Sequence, residues 1–244
     1  MYVLESPLNV QLRWENMDWS ASYRRDSTIV APYGAWSRDT RIPHQQPDHV
    51  KIARNKTRQV AWFVSNCKSR NNRLEYARQL GQHINVDIFG SCGDKKCPRS
   101  SKSECQKMLR EEYKFYLAFE NSDCVDYITE KFWETALHND VIPIVMGAGV
   151  EDYAAVAPPG SFIHVDHFSS PGDLAEYLHK LDNDHQLFQE YFKWKSDPLG
   201  GFIKTKFFCR VCSMLNYNAN ENYQWNDDEA DLADWWKGES VCKS

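Results

Sequence analysis

The sequence predicts an α/β fold in which helices cover a parallel sheet. From residue 59 onward, short β-like runs alternate with helix-length polar stretches, which is the pattern of successive βα units. The 244 residues are 42% hydrophobic and 14% aromatic, so the chain can bury enough apolar surface to offset the entropy lost on ordering. At roughly 150 residues per domain, this length allows one complete core and part of a second lobe.

The predicted elements follow one another along the chain. Residues 1–57 hold short apolar pieces without a sustained period, which indicates strands and loops but no independent domain. After them the alternation predicts strands at 60–65, 84–89, 115–119, 141–146 and 162–165. Helices are predicted at 72–83, 129–139 and 172–181. From Asn216 the chain is acidic, and its tryptophans are expected to anchor this tail on the body: Trp225, Trp235 and Trp236.

The helix at 129–139 has the clearest pattern, because its apolar residues repeat on one face: Ile128, Phe132, Trp133, Ala136 and Leu137. Thr129 is the expected N-cap of this helix. Pro171 is expected at the start of the helix at 172–181.

Charge, hydropathy and motif content disfavour several classes of protein. The net charge of −5 is spread without a basic block, which argues against a sequence-independent nucleic-acid binder. No apolar run approaches the roughly 20 residues of a membrane span. The glycine-rich fingerprint of dinucleotide-binding proteins and the P-loop are both missing from the sequence. A dehydrogenase or a P-loop NTPase is therefore disfavoured.

Eight cysteines bear on the cellular compartment: Cys67, Cys92, Cys97, Cys105, Cys124, Cys209, Cys212 and Cys242. Cys92 with Cys97, and Cys209 with Cys212, could form zinc pairs, but the spacing and Pro98 favour disulfides. The glycosylation acceptor Asn55-Lys-Thr57 is also typical of a luminal protein. Because the first residues lack the features of a signal peptide, we expect this chain to be the luminal part of a longer protein.

Asp182-Asn-Asp184 matches the metal-binding D-x-D of many sugar transferases. It follows an amphipathic helix and lies among solvated charges, so a surface turn is favoured over a metal site.

Polar residues cluster at the exit of the strand at 115–119 and the entry of the following helix. In open α/β sheets, ligands bind at this edge. A helix N-terminus and Lys131 would attract an anion, while Asn121 and Glu130 could bind hydroxyl groups. Asn66 and Arg73 follow the first strand of the sheet and could converge on the same edge. The pattern predicts a site for a phosphorylated polyol, with an ordinary solvated helix turn as the alternative.

Three blocks of sequence carry a family resemblance. They are Phe115-Tyr-Leu-Ala-Phe-Glu-Asn-Ser122, Asp126-Tyr-Ile-Thr-Glu-Lys-Phe132 and Val141-Ile-Pro-Ile-Val145-x-Gly147, and they resemble the signature of the α1,3-fucosyltransferases, glycosyltransferase family 10. Shorter matches, among them Leu4-Glu-Ser-Pro7 and Tyr23-Arg-Arg-Asp-Ser27, extend the resemblance over residues 2–212. The segment 90–99 is most similar to the invertebrate branch that fucosylates the innermost GlcNAc of N-glycans.

The resemblance implies a GT-B fold of two Rossmann-like lobes, with GDP-fucose held mainly by the C-terminal lobe. Residues 1–57 would be the end of a truncated N-terminal acceptor lobe, 58–212 the GDP-fucose-binding lobe, and 213–244 an acidic tail. Cys209 and Cys212 would pair with the missing part of the acceptor lobe, so here they are expected to lack partners or to pair with each other. The full-length protein would be a single-pass type II protein of the Golgi cisterna, anchored outside this chain.

By match to the family motifs, Glu5 would be the general base. The same match assigns the donor site to Asn66, Arg73, Tyr116, Asn121, Tyr127, Glu130 and Lys131. A surface role for Glu5 and a core-packing role for Tyr116 are the alternatives.

The implied reaction is inverting transfer of L-fucose from GDP-fucose, in α1,3 linkage, to a GlcNAc of a glycoprotein N-glycan. No metal and no other cofactor would be required. A Lewis-type antennal acceptor is one alternative, and a catalytically silent GDP-sugar-binding protein is another.

Overall fold

The computed structural model describes residues 2–4, 20–39, 44–45, 56–203, 207–220, 236 and 241–243. The strands are β1 (Tyr2–Leu4), β2 (Ser20–Ser22), β3 (Ile29–Val30), β4 (Trp36–Ser37), β5 (His44–Gln45), β6 (Arg58–Phe63), β7 (Val86–Phe89), β8 (Tyr113–Phe119), β9 (Asp123–Cys124), β10 (Ile142–Met146), β11 (Ile163–His164), β12 (Gly201–Ile203) and β13 (Cys242–Lys243). The α-helices are α1 (Arg73–Leu80), α2 (Lys102–Glu112), α3 (Val150–Val156), α4 (Pro171–Asn183), α5 (His185–Glu190) and α6 (Phe207–Asn220).

Five parallel strands form the main sheet in the order β11-β10-β8-β6-β7. All five strands were predicted from the sequence, and the predicted parallel sheet is confirmed. The chain moves outward in one direction from β6 to β7 and in the other from β8 to β11. The carboxyl ends of β6 and β8 therefore flank the topological switch point, where open α/β sheets bind ligands.

Helices cover both faces of the main sheet. On one face, Leu80 of α1 and Leu178 of α4 pack with Trp62 and Phe119. On the other face, Leu109 of α2 packs with Phe132 and other wholly buried aromatic residues. Pro171 lies in the first turn of α4, as predicted, and the Ser170 hydroxyl caps that helix by accepting a hydrogen bond from the Asp173 N–H at 3.1 Å.

The predicted helix at 129–139 has a different geometry. Lys131–Ala136 form a π-helical turn, which is followed by a 3₁₀ turn at Leu137–Asn139. The Leu137 N–H donates to the Phe132 carbonyl, five residues earlier, as in a π-helix. The apolar face is buried as predicted, but the wider turn ends early because Asn139 donates to the carbonyls of Glu134 and Thr135. Thr129 is not a side-chain cap, since its hydroxyl binds Glu120 instead. The helix α2, by contrast, was not predicted.

Smaller elements connect both ends of the chain to the main sheet. β1, β2 and β3 form a parallel sheet, β12 pairs with β4 and β5, and β13 pairs with β9. The Trp36 ring contacts Trp194 edge-on at 5.1 Å. Trp236 is 1% exposed and lies 5.6 Å from the Tyr23 ring, so it is an anchor of the tail as predicted. Trp225 and Trp235 lie outside the described residues, and α6 runs through the predicted boundary at 212.

Three disulfides connect Cys67 to Cys92, Cys97 to Cys105 and Cys124 to Cys242. Disulfides were predicted, although Cys92 and Cys97 do not pair with each other. Cys209 and Cys212 are exposed, free thiols. Within the described ranges, no helix combines the length and the apolar character of a membrane span.

Candidate functional site

The site lies at the carboxyl edge of the main sheet, where the chain leaves β6, β8 and β10. Residues 120–131 run across this edge between β8 and the π-helical turn. The Glu120 N–H bonds to the Met146 carbonyl at 2.8 Å, which continues the pairing of β8 with β10 by one residue. This edge holds a cluster of charged side chains that the fold removes from water.

A wholly buried carboxylate is at the centre of the cluster. Glu120 is 0% exposed and accepts hydrogen bonds from the Thr129 N–H at 2.8 Å and the Thr129 hydroxyl at 2.9 Å. Its second oxygen lies 2.8 Å from the Lys131 ammonium. Burial has the largest effect and raises the pKa of Glu120 above its usual value, although the Lys131 ammonium and the Thr129 donors act in the opposite direction. These three donors favour the ionised form and oppose the effect of burial.

The Lys131 ammonium is held on two sides. It donates to Glu120 and, at 2.8 Å, to the Thr129 hydroxyl, while the Glu130 carboxylate lies 3.5 Å away. Burial lowers the pKa of Lys131, but the two carboxylates outweigh that effect and raise it above its usual value. The side chain is 17% exposed, so Lys131 is not fully buried.

Arg73, at the start of α1, lies beneath the loops of the site. It is 2% exposed and donates to the Phe119 carbonyl at 2.7 Å and to the Asn66 carbonyl at 3.0 Å. Its guanidinium therefore links the carboxyl ends of β6 and β8, and it also lies over the Trp62 ring at 5.6 Å. Among the described residues, no hydrogen-bond partner lies beside the buried Arg73 Nε, which leaves one donor of this cation unused.

Asn66 and Glu130 are exposed, and Asn121 is half-buried. The Asn66 side-chain oxygen accepts from the Lys68 N–H at 3.2 Å. Together with Arg73 and Lys131, these residues come from the exits of β6 and β8 and the start of the π-helical turn. The predicted convergence of these segments on one edge is what the fold produces.

Tyr127 is fixed by residues from the beginning of the chain. Its ring lies 5.1 Å from Tyr23 and is 3% exposed. The neighbouring Asp126 has a positive φ of 60° and receives the Arg25 backbone N–H at 2.9 Å and the Arg25 Nε at 2.6 Å. Arg25 also reaches Asp152 at 2.9 Å. The motif Tyr23-Arg-Arg-Asp-Ser27 thus supports the loop that leads to Lys131.

Tyr116 lies in the interior of β8, below the surface of the site. It is 1% exposed, and its ring lies 5.6 Å from Phe63. Burial raises the pKa of Tyr116. This position matches the core-packing alternative for Tyr116, and its donor-binding role stays a prediction.

A cavity of about 200 Å³ opens beside the ends of β6 and β7. Its walls are mostly apolar or backbone and include Phe63, Phe89, Gly90, Thr135 and the Cys97–Cys105 disulfide. Thr135 follows Lys131 by four residues on the same turn, so the cavity adjoins the charged cluster.

The D-x-D residues lie at the opposite, amino-terminal edge of the sheet. Asp182 accepts from Gln59 at 3.0 Å and pairs with Lys114, both of which are near the beginnings of their strands. Asp184 caps α5 by accepting from the Leu187 N–H at 3.0 Å. Across the described part of the chain, no group of three or more His, Cys, Asp or Glu residues could hold a metal ion. The motif was predicted to be a surface turn, but Asp182 is half-buried in the last turn of α4, and Asp184 lies between α4 and α5.

Glu5 and Asn55 lie outside the described residues. The general-base role of Glu5 and glycosylation at Asn55 therefore stay predictions.

Glu120, Gly147 and Asn71 had no predicted role, although Glu120 and Gly147 lie within the family motifs. Glu120 and Gly147 directly follow the paired strand ends Phe119 and Met146, so the alignment of two adjacent parallel strands could have brought them together. Asn71 donates to the Glu120 carbonyl at 3.1 Å and to the Asp123 carboxylate at 2.7 Å. No sequence pattern pointed to Asn71.

Comparison with solved structures supports the fold. A crystal structure titled alpha1,3-fucosyltransferase with GDP-fucose superposes with a TM-score of 0.62 at 17% identity, covering 93% of this chain and 77% of that one. Another, with GDP, gives a TM-score of 0.55 at 20% identity over 69% of this chain and 48% of that one. The GT-B type of fold predicted from the family resemblance is confirmed.

Sequence relatives are considerably closer. Glycoprotein 3-alpha-L-fucosyltransferase A of Drosophila melanogaster is 52% identical over 99% of this chain and 48% of its own length. Alpha-(1,3)-fucosyltransferase fut-1 of Caenorhabditis elegans is 34% identical over 86% of this chain and 51% of its own. The chain thus spans about half the length of these curated relatives. Residues 53–235 match the family described as glycosyltransferase family 10 (fucosyltransferase), C-terminal part. The chain therefore belongs to glycosyltransferase family 10, the fucosyltransferases.

Proposed function

We propose that this chain forms the donor-binding part of an enzyme that transfers L-fucose from GDP-fucose, in α1,3 linkage, to a GlcNAc of a glycoprotein N-glycan. The observation that carries the proposal is the Lys131 ammonium, held by a buried carboxylate at the switch point of the sheet. A cation in this position suits the pyrophosphate of a nucleotide sugar.

The donor site would use charge at two depths. Lys131 would contact the pyrophosphate from the surface, and Arg73 would add positive charge from beneath the loops. Asn66, Asn121 and Glu130 would bind hydroxyl groups of the donor at the rim. Tyr127 would bound the site on the side supported by Tyr23, with Tyr116 beneath it. No metal or other cofactor is needed in this scheme, because GDP-fucose is a substrate and protein cations offset its charge.

The chemical step would be a displacement with inversion at C1 of fucose. The acceptor O3 forms a bond to C1 while the bond from C1 to the phosphate oxygen breaks, and GDP leaves with the bonding electrons. Glu5 would take the proton of the acceptor hydroxyl. Lys131 and Arg73 would stabilise the negative charge that grows on the departing pyrophosphate.

The innermost GlcNAc of the N-glycan is the acceptor that we favour. The Drosophila relative, named as a glycoprotein 3-alpha-L-fucosyltransferase, is 52% identical to this chain. Human 3-galactosyl-N-acetylglucosaminide 4-alpha-L-fucosyltransferase FUT3 is 41% identical, which makes a Lewis-type antennal acceptor the second candidate.

We place the protein in the Golgi lumen, with a membrane anchor outside this chain. The three disulfides support an oxidising compartment. We also propose the division into 1–57, 58–212 and 213–244 as acceptor-side lobe, donor lobe and tail.

The direct test is incubation of the chain with GDP-fucose and an N-glycopeptide that carries a core GlcNAc, followed by mass spectrometry. An active chain adds the mass of one deoxyhexose, whereas a silent GDP-sugar-binding protein shows only thermal stabilisation by GDP. A glycopeptide with only antennal GlcNAc separates the two acceptors. A chain that is neither stabilised by GDP nor able to transfer fucose would contradict the proposal.

The role of Glu5 has its own test. In a protein that transfers fucose, Glu5→Gln keeps the shape of the side chain but cannot take a proton, so turnover should fall on the order of 10²–10⁴-fold. GDP-fucose affinity should stay unchanged. Turnover within a few-fold of the wild type would mean that the base is another residue, and an equal loss of donor affinity would indicate a structural role.

A further inference from the structure

Lys131 is the partly exposed cation of the candidate site, and its contacts fix the position of its ammonium group. Two of its contacts, with the Glu120 carboxylate and the Thr129 hydroxyl, are both 2.8 Å long. An ammonium group has three N–H donors. Two of them point to Glu120 and Thr129, so the third is left for the exposed Glu130 carboxylate, 3.5 Å away, or for a ligand that takes its place.

Several contacts hold Glu120 in place. It is wholly buried and bonded by Thr129, and Asn71 donates to its backbone carbonyl. Gly147 closes against it, because a Cβ on Gly147 would lie 2.7 Å from the Glu120 Cβ. Burying a carboxylate costs free energy, and the absence of a side chain at Gly147 leaves room for this one. These two features distinguish the Glu120–Lys131 pair from an ion pair on the surface.

We propose that Glu120 is a positioning residue that holds the Lys131 ammonium charged and directed toward the pyrophosphate of the donor. This inference rests on the proposed donor site and adds to it a residue that does not itself touch the ligand. Substituting Glu120 should therefore change donor binding only through Lys131.

Without the charge of Glu120, the effect of burial should dominate and lower the pKa of Lys131. In Glu120→Gln, an amide replaces the carboxylate, and burial then acts on Lys131 with Glu130 and, more weakly, Tyr127 to oppose it. Burial lowers the pKa of a lysine that has no neighbouring carboxylate. The other charged or titratable groups that face this pair are Arg73, Tyr116, Tyr127 and Tyr153.

The experiment measures GDP affinity by titration calorimetry at several pH values between about 7 and 8.5, where a phosphate with a second pKa of about 6 is already ionised. Wild-type affinity should change less than about twofold over this range. Glu120→Gln should bind about tenfold more weakly at the lower pH and lose at least about fivefold more toward the higher pH. Glu120→Asp, which keeps the charge, should bind more weakly but without the pH dependence.

A double-mutant cycle separates positioning from general damage. In a Lys131→Ala background, Glu120→Gln should have almost no further effect on GDP affinity, because its partner is gone. Asp87→Asn is the matched control, since Asp87 is another buried carboxylate that pairs with Lys95 and the Tyr113 hydroxyl away from this edge. It should lower stability and leave the pH profile of GDP binding unchanged.

Each outcome decides the inference. Additive losses in the cycle, or a Glu120→Gln affinity and pH profile equal to the wild type, would overturn it alone. A wild-type chain that does not bind GDP would overturn the donor site together with it. If Glu120→Gln does not fold, the wild type and Glu120→Asp still decide, because a steep fall of their GDP affinity toward pH 8.5 would show that Lys131 is not held in its charged form.

Discussion

Lys131, which is partly buried, and Lys56, which is buried, lie at opposite edges of the main sheet and have different partners. Lys131, at the carboxyl edge, has the Glu120 carboxylate at 2.8 Å, and its pKa is raised. Lys56, at the amino-terminal edge, is 4% exposed and donates to the backbone carbonyl of Asp140. The Asp140 carboxylate pairs with Lys195 instead. Burial consequently lowers the pKa of Lys56 to about 7.

The difference shows how one sheet gives its two edges different electrostatic properties. At the carboxyl edge, the Lys131 ammonium has the Glu120 carboxylate within hydrogen-bonding distance, so this lysine remains available as a cation. At the amino-terminal edge, the Asp140 carboxylate pairs with Lys195, and Lys56 donates to the Asp140 backbone carbonyl instead. Burial alone therefore does not decide the charge of a lysine, since a neighbouring carboxylate can reverse its effect.

The largest expected effect comes from disturbing the packing that fixes the carboxyl edge. Gly147 has a φ of 143°, and an added Cβ would lie 2.7 Å from the Glu120 Cβ. Overpacking and backbone strain each cost about 1–3 kcal/mol, so Gly147→Ala should lose on the order of 2–5 kcal/mol of unfolding free energy in a urea titration. Gly160→Ala is the control, because its φ is 67° but no atom lies within 4 Å of the added Cβ. Equal losses for the two variants would show that strain alone acts at Gly147.

The next effect concerns the cation at the carboxyl edge. Lys131→Ala should weaken GDP binding by about 1.5–3 kcal/mol, the value of a charge-assisted hydrogen bond. The matched variant is Lys56→Met, which removes a buried lysine of the amino-terminal edge and should leave GDP affinity unchanged. Titration calorimetry measures both. If the two variants lose affinity equally, the edges do not differ in function.

The pH dependence of stability should distinguish Lys56. Its folded pKa of about 7 lies below its ordinary value of 10.5, so between these values the unfolded chain binds one more proton. Stability should therefore rise with pH, by about 1 kcal/mol per pH unit between about pH 7.5 and 9. Chemical denaturation at several pH values should show this slope in the wild type and not in Lys56→Met. Lys68→Met, at an exposed lysine, is the control, and a wild-type slope in Lys56→Met would contradict the assignment.

The smallest effect is expected at the D-x-D. Asp182→Ala combined with Asp184→Ala should leave GDP affinity unchanged, with or without EDTA, because both residues serve the amino-terminal edge. Losing the cap of α5 should cost about 1 kcal/mol of stability. A requirement for manganese in GDP binding that disappears with these substitutions would show that the motif binds metal after all.

Much of the fold could be predicted, because βα alternation is a local property of the sequence. The strands at 60–65 and 141–146 were found within two residues of the observed Arg58–Phe63 and Ile142–Met146. The helix α2 was missed because its sequence is polar, with Cys105 and Leu109 as its buried residues. The π-helical geometry of Lys131–Ala136 was missed because six residues are too few for the apolar spacing to separate a π turn from an α-helix.

The site could be predicted only in part, for a similar reason. Lys131 and Asn66 were found because they follow predicted strands, and the edge of the sheet could be inferred from topology. Glu120 was missed because its function depends on Thr129, Lys131 and Gly147, which only the fold brings to it. A carboxylate after a strand usually faces water, and its burial is a tertiary property.

The disulfide between Cys124 and Cys242 has a consequence for handling the protein. It joins residues 118 positions apart and holds the strand β13 beside β9, which is part of the segment 120–131. A protease that cuts any single bond between these cysteines leaves two fragments covalently tied together. On a denaturing gel without reductant the nicked protein would therefore run as one band and look intact, and two bands would separate only after reduction.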